Sequence, residues 1–163
     1  MGTGQTLLTI MAMTMLSRLV LSVNTTSAMS GESIQMAAYR ITATSLGTSM
    51  IEEATGMAYD AKSDTVGISN PSNFSTTLGK EAGEVYPNFD DFDDFNNLHK
   101  VDSLKGSAIF ATDCKVEYVS VVGNVITVSN IPTYSKRITV SVSSKSMSDT
   151  LKFYSIYSYW FFR

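Results

Sequence analysis

The sequence has almost none of the residues that build disulfides, metal centres or catalytic sites. Its 163 residues include one cysteine, Cys114, and one histidine, His99. A single cysteine excludes an internal disulfide, and one histidine with one cysteine is too few for a zinc centre. The GxSxG, HExxH and P-loop patterns are absent as well. We therefore expect no catalytic residue and no enzyme, with Cys114 acting as a small buried hydrophobe.

The chain also lacks an excess of positive charge. Twelve Lys and Arg residues stand against 15 Asp and Glu residues, which gives a net charge of -3 and a pI near 5.0. Since no basic cluster is present, we expect no nucleic-acid partner. The length fits one globular domain with an appended segment.

A basic segment is missing ahead of the longest apolar run, residues 7–23, and no Ala-x-Ala-like site follows it. A cleaved secretory signal has both features, so we expect the run to stay attached to the chain. The run is close to the minimum of roughly 17 residues that crosses a bilayer. Arg18 inside it, however, would cost about 2.5 to 3.5 kcal/mol in lipid.

A helix of this kind is better suited to burial among copies of itself than to permanent residence in lipid. Each large side chain removed from water contributes about 1.5 to 3 kcal/mol before entropic costs. Arg18 needs an anionic or carbonyl partner in such a core, because an unpaired buried charge is strongly destabilising. The predicted assembly core comprises Leu7, Leu8, Ile10, Met11, Met13, Met15, Leu16, Arg18, Leu19, Val20, Leu21 and Val23.

A second helical pattern follows, separated from the first by a weak joint. Apolar residues recur at three- and four-residue spacings along residues 32–59, which predicts an amphipathic helix. Residues 24–31, NTTSAMSG, lower helix propensity and predict a bent or unwound joint, with a continuous but poorly stable helix as the alternative. Carbonyl groups of this loosened joint on a neighbouring copy are our candidate partners for Arg18.

The domain organisation that follows is a stalk and a head. Residues 1–31 form the assembly stalk, and residues 32–163 form one globular domain. Within that domain, residues 60–107 are rich in Gly, Ser, Asn, Asp and Thr and predict a long surface loop.

An acidic and aromatic segment, FDDFDDFN, occupies residues 89–96 of this loop. Its carboxylates are the ligands that a hard cation such as Ca²⁺ prefers, although the spacing is not that of an EF-hand. We favour a short turn that buries the three phenylalanines and points the carboxylates outward. Calcium binding is the alternative, and no other cofactor is expected. The candidate metal ligands are Asp90, Asp91, Asp93 and Asp94.

Alternating apolar and polar residues predict an antiparallel sheet of about four strands over residues 108–162. The first strand is expected to break near Asp113 and Cys114, and Gly123-Asn124 predicts a hairpin turn. Because the helix over residues 32–59 is the only large amphipathic element that can cover this sheet, the fold class is α+β, with a long N-terminal α-helix packed on the sheet.

The last strand is aromatic on both faces. We expect one face to pack on the helix and the other to meet a neighbouring subunit or the long loop, because exposed apolar patches of this size mark contacts. The predicted interface aromatics are Phe153, Tyr154, Tyr157, Tyr159, Trp160, Phe161 and Phe162.

The start of the apolar run, GQTLLT at residues 4–9, resembles the processing region of type IV pilins and pseudopilins. In that family a Gly is followed by an aromatic residue, Thr, two aliphatic residues and a Glu, and then by a long apolar helix. Residues 89–96 and 136–142 resemble the acidic-aromatic segment and the late strand of minor pilins of the mannose-sensitive haemagglutinin type. The family's Glu, which pairs with the amine of a neighbouring subunit, is replaced by Thr9, or by Gln5 in the other register. The processing region therefore comprises Gly4, Gln5 and Thr9.

The resemblance implies a structural subunit of an extracellular type IV pilus-like filament, or fimbrium, that self-assembles as a helical polymer. Its partners would be further copies of the chain, the pilus assembly machinery, and the inner membrane as an anchor before assembly. Two alternatives remain open: a minor pseudopilin of a secretion or pilus machine, and a membrane-tethered adhesive or binding module. The abundant Ser and Thr residues favour a neutral, solvated surface over dense glycosylation.

Overall fold

The computed structural model describes residues 2–63, 67–104 and 108–159. Within these residues one long helix, α1 (Thr3–Thr55), precedes five strands, and single 3₁₀ turns occur at Ala61–Ser63, Pro71–Asn73 and Asp93–Phe95. The strands are β1 (His99–Leu104), β2 (Ala108–Val122), β3 (Val125–Val128), β4 (Ser135–Ser144) and β5 (Leu151–Ser158). The predicted α+β class is confirmed, with five strands in the described part of the chain in place of about four.

The chain divides into two compact units, and each is described by itself. The first unit ends at Ala38, and the second begins at Tyr39. In the first unit the described residues from position 3 onward are helical, and the side chains from Gly2 to Gln35 are all exposed.

The predicted unwinding at residues 24–31 does not occur, because α1 is helical throughout this segment. The hydroxyl of Thr25 donates to the carbonyl of Leu21 at 3.0 Å, and that of Thr26 donates to Ser22 at 2.8 Å. The hydroxyls are therefore satisfied within the helix, by a back-bonding that slightly destabilises helices and often bends them. The alternative, a continuous helix, describes the segment.

The helix ends at Thr55, before the predicted end at residue 59, and Gly56 follows it. The amide of Gly56 donates to the carbonyls of Glu52 and Glu53, which closes the last turn. Glycine is the residue most often found directly after a helix.

In the second unit the last turns of α1 pack against the sheet. Ala43, Gly47, Met50 and Ala54 are buried at helical spacing. A Cβ atom at Gly47 would overlap the ring of Phe153 on β5, so this close approach requires glycine.

The sheet is antiparallel, with the strand order β1-β2-β4-β5, and β3 pairs with the end of β2. Strand β2 is not interrupted where a break was expected, since Cys114 lies in register with Val140 of β4. Strand β1 lies within the predicted surface loop. Its residues are exposed or half-buried, so they lack the apolar alternation that identifies a strand from sequence.

Candidate functional site

The apolar run at residues 7–23 is exposed on every side of the helix. Successive residues are turned by about 100°, so the positions of its large side chains cover the whole circumference. Their exposed fractions lie between 62% and 76%. A helix that is apolar all round is normally buried. The exposed members are Leu7, Leu8, Ile10, Met11, Met13, Met15, Leu16, Leu19, Val20, Leu21 and Val23.

Charge is nearly absent from the first unit. Arg18 is its only basic residue and Glu32 its only acidic one. Both side chains are exposed, and no ion pair within the described ranges includes either of them. They are fourteen positions apart, which places them about 21 Å apart along the axis and about 40° apart around it. Arg18 and Glu32 therefore lie on nearly the same side of the helix.

The predicted processing residues lie at the start of α1. Gly4, Gln5 and Thr9 are exposed and helical. The hydroxyl of Thr9 donates to the carbonyl of Thr6 at 2.9 Å, so it is engaged within the helix. The structure thus offers no carboxylate at either position where the pilin Glu was sought.

The acidic and aromatic segment folds differently from the prediction. Its three phenylalanines are buried as expected, but Asp91, Asp93 and Asp94 are buried as well, and only Asp90 is exposed. Asp91 accepts hydrogen bonds from the amides of Asp93 at 2.8 Å, Asp94 at 3.2 Å and Ala61 at 2.6 Å. The outward orientation predicted for the carboxylates is therefore wrong for three of the four. Asp91 and Asp94 satisfy backbone donors of the turn, and Asp93 contacts Lys136.

Asp93, Asp60 and Lys136 form a cluster that we call the buried charge cluster. The Lys136 ammonium contacts Asp93 Oδ1 directly, and it lies 3.2 Å from Asp60 Oδ2. The three side chains are exposed by at most 1%. The ammonium also donates to the carbonyl of Tyr59 at 2.7 Å.

Aromatic rings surround this cluster. The Lys136 ammonium lies 4.5 Å from the ring centroid of Tyr59 and 5.4 Å from that of Tyr118. The Tyr118 hydroxyl donates to the carbonyl of Ser75 at 2.7 Å and lies 3.5 Å from Asp60 Oδ2. The rings exclude water, so the charges act in a medium of low dielectric constant.

The pKa values of the two carboxyl groups of the cluster are shifted in opposite directions. Burial raises the pKa of Asp93 to about 7, and Asp91 adds to this effect while Lys136 opposes it. Burial also acts to raise the pKa of Asp60. Lys136 and hydrogen bonds from Ser75 and Lys62 outweigh it and hold that pKa below the ordinary value. One acid is therefore easily protonated and the other stays ionised, a division that often accompanies acid and base roles.

The sequence analysis did not identify this cluster, although β4 carries a signal for it. Lys136 has the same parity along the strand as Ile138, Val140 and Val142, which are fully buried. Alternation therefore placed a lysine on the apolar face. A buried lysine is rarely unpaired, so its position predicts a carboxylate partner.

The predicted calcium ligands do not converge on one point, and a different carboxylate group does. Oxygens of Glu81, Glu84 and Asp94 lie within 4.8 Å of one another, so only Asp94 of the predicted set belongs to it. Asp94 Oδ2 accepts from the amides of Asp90 and Asp91, while its buried Oδ1 has no partner among the described residues. Burial raises the pKa of Asp94 to about 6, with a further contribution from Asp91.

Most described aromatics of the last strand pack inside the second unit. Phe153 lies against Gly47, and the Tyr157 hydroxyl donates to the carbonyl of Met57 at 2.9 Å. Tyr159 packs against Tyr59 and other rings. Tyr154 is 66% exposed and remains available for an interface. The predicted Trp160, Phe161 and Phe162 lie outside the described residues.

A second exposed apolar surface lies on the hairpin formed by the end of β2 and by β3. Its β-branched side chains are exposed by 45% to 73%. Patches of this kind on a soluble domain usually mark a contact surface. The hairpin patch consists of Val121, Val122, Val125, Ile126 and Val128.

Comparisons with protein-family models, curated proteins and solved structures found no match to this chain. By length and composition α1 can cross a membrane, a property that it shares with signal sequences and with buried core helices of soluble proteins. One long N-terminal apolar helix packed on an antiparallel sheet is a pilin-like architecture.

Proposed function

We propose that this chain is a structural subunit of an extracellular type IV pilus-like filament and that it self-assembles through the apolar run. The observation that carries the proposal is the exposure of apolar side chains on all faces of residues 7–23. Burying each of these side chains contributes about 1.5 to 3 kcal/mol before entropic costs. The sum over the run exceeds the roughly 4 to 15 kcal/mol that association costs in lost freedom.

Because of Arg18, burial of the apolar run among neighbouring helices is more favourable than burial in lipid. In hydrocarbon the guanidinium has no partner, whereas a parallel neighbour displaced by about 21 Å along the axis brings its Glu32 beside Arg18. Such a pair compensates the charge inside a helical bundle. It replaces our earlier candidates, the carbonyls of residues 24–31, because those residues are helical.

This pairing also takes over the role of the Glu that the chain lacks. In type IV pilins the Glu pairs with the amine of an adjacent subunit. Here one cation and one anion per stalk, on nearly the same side, define a single parallel register. A polar pair in an apolar interface is a well-attested way to specify alignment.

The first test of assembly is a charged residue in the apolar run. Leu16→Glu should abolish filaments, because every copy would bring an unpaired carboxylate into the core. Leu16 is 66% exposed in the single chain, so the fold of the head should not change. Filaments are counted by electron microscopy and by sedimentation, and head folding is checked by circular dichroism.

Ser72→Glu, an exposed substitution on the second unit, is the matched control and should leave filaments intact. Short, scarce complexes that contain other pilus proteins would favour the minor pseudopilin. Detergent-solubilised monomers that bind a ligand would favour the membrane-tethered module, and either result would overturn the filament proposal.

A further inference from the structure

We propose that Lys136 and Asp93 condense into an intramolecular isopeptide bond, with Asp60 carrying the proton between the amine and the departing oxygen. This cross-link would be a property of the second unit alone. It does not depend on whether the chain forms filaments.

The reacting atoms are already in contact. Lys136 Nζ touches Asp93 Oδ1, so the amine lies next to the carboxyl carbon that it would attack. The other oxygen of Asp93 accepts from the amide of Gly79 at 3.4 Å. Holding two reacting groups in this way replaces a bimolecular encounter with an effective molarity of about 10⁵ to 10⁸ M.

The reacting groups lie where the rings of Tyr59 and Tyr118 exclude water. Attack requires a neutral amine and a protonated carboxyl, which one proton transfer within the contacting pair produces. The depressed pKa of Asp60 keeps a carboxylate available as the proton acceptor, 3.2 Å from the nitrogen.

The step balances without an oxidant, a reductant or a second substrate. The ammonium of Lys136 first gives a proton to Asp93, and the neutral nitrogen then attacks the carboxyl carbon to form the C–N bond. The nitrogen loses a second proton to Asp60. Asp60 passes that proton to the hydroxyl on the same carbon, the C–O bond breaks, and water leaves. The products are one amide and one water molecule, with Asp60 again ionised.

The bond would take over the role of a disulfide in a chain with one cysteine. It would close a loop of 43 residues between the Asp93–Phe95 turn and β4. Closing such a loop restricts the unfolded chain and thereby stabilises the fold. Unlike a disulfide, the amide resists reduction.

The test is the mass of the purified wild-type protein after denaturation. We expect it to be lower than the sequence mass by one water molecule. Trypsin should then release the peptides 81–100 and 116–137 joined to each other, because trypsin does not cut after an acylated Lys136. Fragmentation of the joined peptides locates the link at Asp93 and Lys136.

Two variants test the roles of Asp93 as the acylating group and of Asp60 as the proton carrier. Asp93→Ala should have the full sequence mass, and Asp60→Asn should lose the water slowly or incompletely while its circular dichroism stays that of the wild type. Lys152→Arg changes an exposed lysine on β5 and should still lose the water completely.

A wild-type protein of full mass, with separate peptides 81–100 and 116–136, would overturn the proposal and leave the cluster as an ion triad. A water loss without joined peptides would also overturn it, because it would indicate a succinimide at an aspartate. Both readings come from the wild-type protein, so they stand even if a variant fails to fold.

Discussion

At the scale of single residues, the carboxylates of the turn show how burial and like-charged neighbours change the pKa of an acid. Asp94 lies beside Glu81 and Glu84, and its Oδ1 is buried without a donor among the described residues. A like-charged neighbourhood and a missing donor both disfavour the ionised form. The proton is therefore bound more tightly in the folded chain than in the unfolded one.

This difference predicts a fall in stability as the pH rises. The pKa of Asp94 is raised from 3.8 to about 6, so between these values the folded state keeps a proton that the unfolded state has lost. The free energy of unfolding should decrease over pH 4 to 6 by up to about 2 to 3 kcal/mol. Denaturant titrations at a series of pH values measure this decrease.

Asp94→Asn should reduce the slope of that part of the profile, and the remaining slope is that of Asp93. The amide stays neutral, and its oxygen can still accept from the amides of Asp90 and Asp91. Glu52→Gln, at an exposed position of α1, is the control and should reproduce the wild-type slope. An unchanged slope in Asp94→Asn would show that Asp94 does not carry the effect.

At the scale of elements, the contact of α1 with β5 depends on one glycine. Gly47→Ala places a methyl group against the Phe153 ring, and overpacking of this kind costs about 1 to 3 kcal/mol. The better helix propensity of alanine offsets up to about 1 kcal/mol of that loss. We expect a net destabilisation of about 1 to 2 kcal/mol in thermal or chemical unfolding.

Gly31→Ala is the matched control, since nothing lies within 4 Å of the added atom. It should leave the unfolding of the second unit unchanged and slightly increase helicity. Phe153→Leu should recover part of the loss caused by Gly47→Ala. A Gly47→Ala variant as stable as the wild type would mean that the helix and β5 separate easily.

The sequence predicts the elements with strong periodicity and misses those decided by tertiary contacts. Helix α1 and the alternating strands β2 and β4 follow from their apolar spacing. Strand β1 does not, because it gains its partners only by pairing with β2. The unwinding predicted at residues 24–31 was wrong, because low helix propensity is a weak signal and the segment is helical.

Of the candidate sites, the sequence predicts the apolar run and misses the buried charge cluster. The apolar run is a local property of consecutive residues, and the sequence identifies it completely. The buried charge cluster joins residues 60, 93 and 136, which only the fold brings together. Its one local signal is a lysine in phase with the buried residues of β4.

At the scale of the whole molecule, Arg18 and Glu32 predict how copies align. Arg18→Glu or Glu32→Arg alone should prevent assembly, because each leaves like charges facing each other between stalks, and removing one partner of a buried pair costs about 3 to 5 kcal/mol. The double variant Arg18→Glu, Glu32→Arg should restore filaments. Sedimentation of assembled material measures all three.

Lys62→Glu, an exposed substitution on the second unit, controls for the change in net charge and should assemble normally. If both single variants assemble as well as the wild type, the stalks align without this pair. Assembly by the single variants would leave the apolar core intact as an explanation but remove the register that we assign to it.

The most direct test of the account is a cryo-electron-microscopy reconstruction of the native assembled material. We predict a helical filament with residues 7–23 of many copies bundled at its centre, Arg18 of one copy beside Glu32 of the next, and the β-sheet domains on the outside. A filament whose centre is built from the sheet domains, or native material that consists only of single chains held in membrane, would contradict it.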